Sequence, residues 1–269
     1  MLISHITIVN LVSGDIFTER VVLMALIKYK GYNLPIREDL VHAHERCWNR
    51  LSEAGTWFDG SQRINIAAEV RNARECRFCV EQKEAVSPNS VSGSHSNLGM
   101  LNDNEVEIIH RTVSDPARLS KKWFKGIISK GVKEEEYIEM IGIIAMVMVI
   151  DTFTFAISVK DHNLPKPKTG KPSYYKPPGA KTKAAWVPIV EPEDAVKSDG
   201  DLYPNPKVGY ILRSLSAVPE TKIHYWDLMH SHYLPEPIIY QFDRDFRAIS
   251  RPQMELVAGR VSALHQCLF

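Results

Sequence analysis

Apolar residues recur at helical spacing along most of the chain. In EDLVHAHERCWNRLSEAG (38–55), Leu40, Val41, His44, Cys47, Trp48 and Leu51 fall on one face, and Gly55 marks a stop. The segment 134–157 opens with three glutamates, which suit the positive end of a helix dipole. It then turns almost wholly apolar, which predicts a central helix buried on most sides. Between them, EVEIIHRTVSDPARLSKKWFKGIISKG reads as two shorter helices divided at Asp115–Pro116. Strand signals are few. The N-terminal MLISHITIVNLVSG is apolar without a basic leader, which suggests a buried strand or helix rather than a signal peptide.

The pattern breaks between Lys160 and Lys207, which hold nine of the sixteen prolines. Within it, KPKTGKPSYYKPPGAKTK (166–183) carries six lysines. Such a stretch cannot be regular helix or sheet. It reads as a linker wrapped over the surface, or as a lysine-lined entrance that attracts an anionic substrate. Helical pattern resumes at KVGYILRSLSAV (207–218).

Composition narrows the class. With 269 residues, the chain can form one large or two ordinary domains. Hydrophobic residues make up 44%, charged residues 24%, and the net charge is +1, so neither a nucleic acid nor a membrane partner is expected. The longest apolar run, Met140 to Ile150, is too short to span a bilayer. The expected compartment is the cytoplasm. Four cysteines, at 47, 76, 79 and 267, do not make a secreted disulfide framework. In a reducing compartment, Cys76-x-x-Cys79 reads as a redox dithiol, part of a zinc site with His42 and His44, or two packed cysteines. Cys47, beside Trp48, reads as core, and His224, His230 and His232 read as surface or packing residues.

An internal repeat changes the picture. Shifted by 191 residues, DGSQRINIAAEVRNARECRF (59–78) lies over SRPQMELVAGRVSALHQCLF (250–269). Cys76 then falls on Cys267, and Asp59 with Gln62 and Ser250 with Gln253 each have the form of a capping box. A cap, an apolar face and a cysteine in one register argue for duplication. The sequence stops one residue before a second C-x-x-C, which reads as a truncated second copy. The apolar face of Leu256, Val257, Val261 and Leu264 would then lack its partner helices, predicting aggregation or tight association.

The second copy resembles the core motif of the alkylhydroperoxidase D-like, or carboxymuconolactone decarboxylase-like, family. In that family a glutamate precedes the first cysteine of a C-x-x-C by twelve residues, and a histidine follows the second by four. Glu255 stands twelve before Cys267. The first copy has the C-x-x-C, but Ile64 occupies the glutamate position and Lys83 the histidine position. The resemblance covers about residues 38–158 and from 208 onward. It implies an all-α fold of two tandem helical repeats joined by the Pro/Lys-rich linker. The expected domains are 1–159 and an incomplete 208–269, with the linker at 160–207.

The resemblance further implies a homo-oligomer and a thiol-dependent peroxidase or disulfide oxidoreductase that needs no metal, haem or flavin. Its catalytic residues would be Cys76, Cys79, Glu255 and Cys267, acting on a hydroperoxide and regenerated by a thiol or dithiol reductant protein. The second cysteine of the pair, Cys79, would attack. Arg71, Arg74 and Arg77 favour a thiolate at Cys76, while Glu69, Glu75 and Glu81 oppose it. His95, in the loop VSGSHSN, is a candidate for the missing histidine. Two other functions fit the same fold: a carboxymuconolactone decarboxylase-type enzyme acting on a lactone acid, and a non-catalytic scaffold or stress-regulatory protein.

Overall fold

A computed structural model describes residues 27, 29, 31–205, 207–235 and 238–264. The N-terminal apolar stretch and Cys267 lie outside the described residues. Eight α-helices are described: α1 Glu38–Ser52, α2 Gly60–Ala73, α3 Arg77–Glu84, α4 Asp103–Ser114, α5 Lys121–Ser129, α6 Glu134–Ala156, α7 Pro219–His232 and α8 Arg251–Leu264. One antiparallel ladder, β1 Ala180–Lys181 with β2 Ile189–Val190, accompanies them. The molecule is all-α, as the periodicity predicts.

Helix α6 is the centre. Ile143, Ile144, Val147 and Ile150 are at most 1% exposed, and α2, α4, α1 and α7 pack around it. It is long and apolar enough to cross a membrane by composition, yet most of it is buried inside the fold. Three carboxylates interrupt its apolar surface, and each meets a cation: Glu135 with Lys176, Glu139 with Arg63, and Asp151 with Arg71. These pairs fix the rotation of α6 against α2 and against the proline-rich segment.

Local chemistry sets the helix ends. At α2, Asp59 Oδ1 accepts from the Gln62 amide at 2.8 Å while Gln62 Oε1 accepts from the Asp59 amide at 2.9 Å, completing the predicted capping box. Pro116 separates α4 from the α5 segment, because a proline cannot continue the hydrogen-bonding ladder. The stretch 207–218 departs from its helical pattern. It holds only a single 3₁₀ turn, Tyr210–Arg213, and Leu215 adopts a φ of 64°, which a helix does not accommodate. The helix begins afterwards, with Pro219 in its first turn.

The proline-rich segment runs along the α1–α2 connection. The backbone amides of Lys168, Ser173 and Tyr174 donate to the carbonyls of Ser52, Gly55 and Thr56. Four of its lysines pair with carboxylates: Lys168 with Glu53, Lys176 with Glu135, Lys181 with Asp194 and Lys183 with Glu191. Ile189, Val190 and Leu202 are buried, so the segment contributes to packing as well as to connection. Ala217, Val218 and Leu228 join the main core.

Helix α8 begins 191 residues after α2, in the register of the sequence alignment. The surroundings differ: α2 is half core, whereas Leu256, Val257, Val261 and Leu264 of α8 are exposed. Ser250 reproduces part of the cap, its amide donating to Gln253 Oε1 at 2.8 Å.

A half-buried polar chain sits at the α1–α7 contact. Tyr29 Oη hydrogen-bonds His44 Nδ1, and His44 Nε2 lies 2.7 Å from His232 Nε2. With the tyrosine donating, His44 passes its own proton toward His232 and the chain is satisfied with both rings neutral. Burial, reinforced by the neighbouring histidines, pushes His44 down to about 3 from 6.5. Burial and Arg37 push His232 down to about 4. Above pH 6.5 both folded and unfolded rings are neutral and the chain is at full strength. Below it, the unfolded protein takes up protons that the folded one refuses. Stability should therefore fall by about 1 kcal/mol per pH unit for each such ring between pH 7 and pH 5, approaching about 1.4 below that. Urea denaturation between pH 7 and pH 5 measures this slope, and His44→Leu should flatten it.

Candidate active site

The cysteine pair sits where α2 hands over to α3. Helix α2 ends at Ala73, the chain turns, and Cys76 occupies the N-cap position of α3 with φ −71° and ψ 115°. Cys79 falls in the first turn, where amide dipoles favour a negative sulfur. Both residues are 2% exposed, so the thiols face inward.

Two imidazoles converge on them. His110, fully buried on α4, places Nδ1 at 3.2 Å from Cys79 Sγ. His95, in the loop between α3 and α4, places Nδ1 at 3.3 Å from Cys79 Sγ and 3.8 Å from Cys76 Sγ. Behind each ring stands a carboxylate on the other nitrogen. Glu69 Oε1 lies 2.9 Å from His110 Nε2, and Glu107 Oε2 lies 3.0 Å from His95 Nε2. The carboxylates are anchored in turn. Asn72 Nδ2 donates to Glu69 Oε1 at 2.7 Å, the Leu98 amide donates to Glu69 Oε2 at 3.2 Å, and Trp123 Nε1 donates to Glu107 Oε1 at 2.8 Å. Two carboxylate–imidazole arms therefore meet at one sulfur.

The His95 loop is held by close packing. Phe78 and His95 rings meet edge to face at 4.9 Å. A side chain at Gly93 would place its Cβ 2.7 Å from the Phe78 ring, so the loop can approach only without one. The Ser96 amide donates to Cys76 Sγ at 3.4 Å.

Electrostatics follow from this geometry. Burial opposes a thiolate at Cys76, but hydrogen bonds from Ser96, the Cys79 amide and His95 outweigh it and bring the thiol down to about 5. Burial likewise opposes the Cys79 thiolate, and the two histidines overcome it. Burial disfavours a charged His95, yet Cys79, Glu107 and Cys76 together raise it to about 10. His110 is raised for the same reason, burial being overcome by Cys79 and Glu69. These opposed shifts favour thiolate–imidazolium pairing between the cysteines and the two rings.

The predicted residues fall in different places. Cys76 and Cys79 come together with His95, the loop candidate. Ile64 and Lys83 stay out of the cluster; Lys83 is exposed on α3. Glu255 lies on α8, where its carboxylate takes hydrogen bonds from Tyr233 and Arg251, outside the cysteine cluster. His42 is exposed on α1 and His44 is engaged with Tyr29 and His232, so neither is positioned as a ligand beside the thiols. The arginines near the motif turn to other partners: Arg71 to Asp151, Arg74 to Asp151 and Asp161, and Arg77 to Glu81. Helix-end and imidazole donors hold the sulfurs instead.

His110 and Glu69 were not singled out in the sequence for this role. The available signal is Glu107-Ile-Ile-His110, a carboxylate and an imidazole one turn apart on a helix whose buried face also carries Val106, Ile108 and Ile109. Compared with models of protein families, with curated proteins and with solved structures, the chain finds no match.

Proposed function

We propose that this chain is a thiol-dependent oxidoreductase of the alkylhydroperoxidase D-like kind, reducing hydroperoxides or disulfides through Cys76 and Cys79. The observation that carries this reading is Cys79 Sγ, held between His95 and His110 at 3.3 and 3.2 Å, with a carboxylate behind each ring. A nucleophile, a base on it and a group orienting that base are the parts that activated-thiol chemistry requires. The family pattern draws its relay from the positions of Ile64 and Lys83. Here Glu107–His95 and Glu69–His110 supply equivalent groups from other positions.

The Cys79 thiolate attacks the outer oxygen of the hydroperoxide, forming an S–O bond as the O–O bond breaks. Imidazolium His95 gives its proton to the departing alkoxide, which leaves as an alcohol. Cys76 then attacks the sulfur of the Cys79 sulfenic acid, and the hydroxyl leaves as water once protonated. Two thiols and one hydroperoxide thus become one disulfide, one alcohol and one water. A thiol or dithiol reductant protein restores the pair by exchange. Because Cys76 is the adjacent thiol, disulfide formation consumes the sulfenic acid before a second hydroperoxide oxidises it further.

Single-cysteine variants test the assignment of roles. With Cys76→Ser, one hydroperoxide addition should leave a sulfenic acid on Cys79 that a dimedone-type reagent traps. With Cys79→Ser, trapping at position 76 and turnover should both be lost. Unchanged turnover in the double alanine variant would instead point to lactone chemistry, and absence of turnover in the parent chain to a scaffold.

A further inference from the structure

The same four side chains that face one another across the thiols are also a donor set. Cys76 Sγ, Cys79 Sγ and one nitrogen each of His95 and His110 all lie within 4.8 Å of one another. We infer that, in the reduced protein, Cys76, Cys79, His95 and His110 form a closed tetrahedral zinc site. This goes beyond the redox reading and does not depend on it.

The distances carry the inference first. A tetrahedral zinc ion with Zn–S near 2.3 Å and Zn–N near 2.0–2.1 Å separates its ligand atoms by about 3.3–3.8 Å. Cys79 Sγ to His110 Nδ1 is 3.2 Å, Cys79 Sγ to His95 Nδ1 is 3.3 Å, and Cys76 Sγ to His95 Nδ1 is 3.8 Å. Three edges of the tetrahedron are thus near their required lengths. No two of the four atoms are more than 4.8 Å apart, so the widest separation needs to close by at most about 1–1.5 Å to match.

The outer residues carry it second. A histidine that binds zinc through one nitrogen commonly gives its other N–H to a carboxylate, which fixes the ring and raises its basicity. Both rings here do so through Nε2, leaving both Nδ1 atoms toward the sulfurs. Glu69 and Glu107 are each held by further donors, so both rings are oriented in advance. Two thiolates and two imidazoles form a donor set that selects zinc over the harder divalent ions.

All four positions would be filled by protein, so no place is left for a water or substrate, unlike a catalytic zinc centre. The metal would hold both sulfurs as ligands, and a Cys76–Cys79 disulfide would remove two of the four. The consequence that zinc and disulfide exclude each other is the only part that rests on the redox reading. In that case zinc holds the dithiol in reserve and oxidation releases it.

The test uses the full chain, reduced, chelator-treated and never exposed to peroxide, titrated with Co²⁺ and then Zn²⁺. The expected result is one equivalent of cobalt bound, with thiolate-to-cobalt charge transfer and intense tetrahedral visible bands, displaced by one equivalent of zinc. Glu69→Gln should weaken zinc binding by roughly 10–100-fold. Cys76→Ser and His95→Ala should weaken it further and remove the tetrahedral spectrum. His95 lies in a loop, so its loss leaves the helical core in place, which far-ultraviolet circular dichroism checks. Weak octahedral bands, or binding unchanged in Cys76→Ser and His95→Ala, would overturn the inference. Because no oxidant is present, failure of the peroxidase reading leaves this result unaffected.

Discussion

His95→Ala should lower hydroperoxide turnover by about 10²–10⁴-fold, the usual contribution of a positioned acid–base group. Among the described residues this ring alone reaches both sulfurs, at 3.3 and 3.8 Å, and Cys79 and Glu107 favour its charged form. Its loss removes a proton donor to the alkoxide and a hydrogen bond that stabilises each thiolate. The position is outside the helices, so the fold should persist with a near-parental melting curve. Steady-state turnover with a dithiol reductant, in the presence of chelator, measures the effect. Glu107→Gln should follow in the same direction with a smaller loss, because the ring stays but its orienting charge goes. A His95→Ala enzyme within a few-fold of the parent would remove the histidine from the chemistry.

The largest expected effect on stability is at Glu139. It is fully buried on α6, pairs with Arg63 of α2, and accepts the Trp57 amide at 2.6 Å. Arg63 is 3% exposed and also reaches the Arg50 carbonyl at 3.4 Å. Glu139→Ala leaves a buried guanidinium without the carboxylate bonded to it and the Trp57 amide without its acceptor. Breaking one side of such a pair costs about 3–5 kcal/mol, a large share of the roughly 5–15 kcal/mol that holds a typical domain. Replacing both partners, Arg63→Met with Glu139→Leu, should recover most of the loss, because the isolated charge is what destabilises. A double-mutant cycle by urea denaturation reads the coupling. A Glu139→Ala loss below about 1 kcal/mol would contradict the argument.

These two sites differ in how far the sequence reveals them. Helices α1, α4, α5 and α6 follow from apolar spacing, because helical periodicity is written residue by residue in the chain. The division at Pro116 and the capping box at Asp59 are equally local. The departure at 207–218 is local too, but it depends on Leu215 taking a left-handed φ, which an apolar residue does not announce. The site itself joins residues far apart in sequence. Cys76 and Cys79 are visible as a spaced pair, whereas Glu69 and His110 acquire a role only when α2 packs against α4. His95 lies in a loop whose path depends on Phe78 and Gly93, so proximity in sequence gives it only a candidate's status. The arginines around Cys76 show the opposite case. They are adjacent in sequence, yet Asp151 and Asp161, contributed by later parts of the chain, draw Arg71 and Arg74 away.

The central claim is that Cys76 and Cys79 act as one redox unit, and a thiol count with mass mapping tests it most directly. The reduced, chelator-treated chain is given one equivalent of an organic hydroperoxide, its remaining thiols are counted, and any disulfide is located by mass spectrometry. The account predicts the loss of two thiols and a Cys76–Cys79 bridge, with Cys47 still free in the core. Both site thiols remaining free while oxidation falls on another cysteine would contradict it.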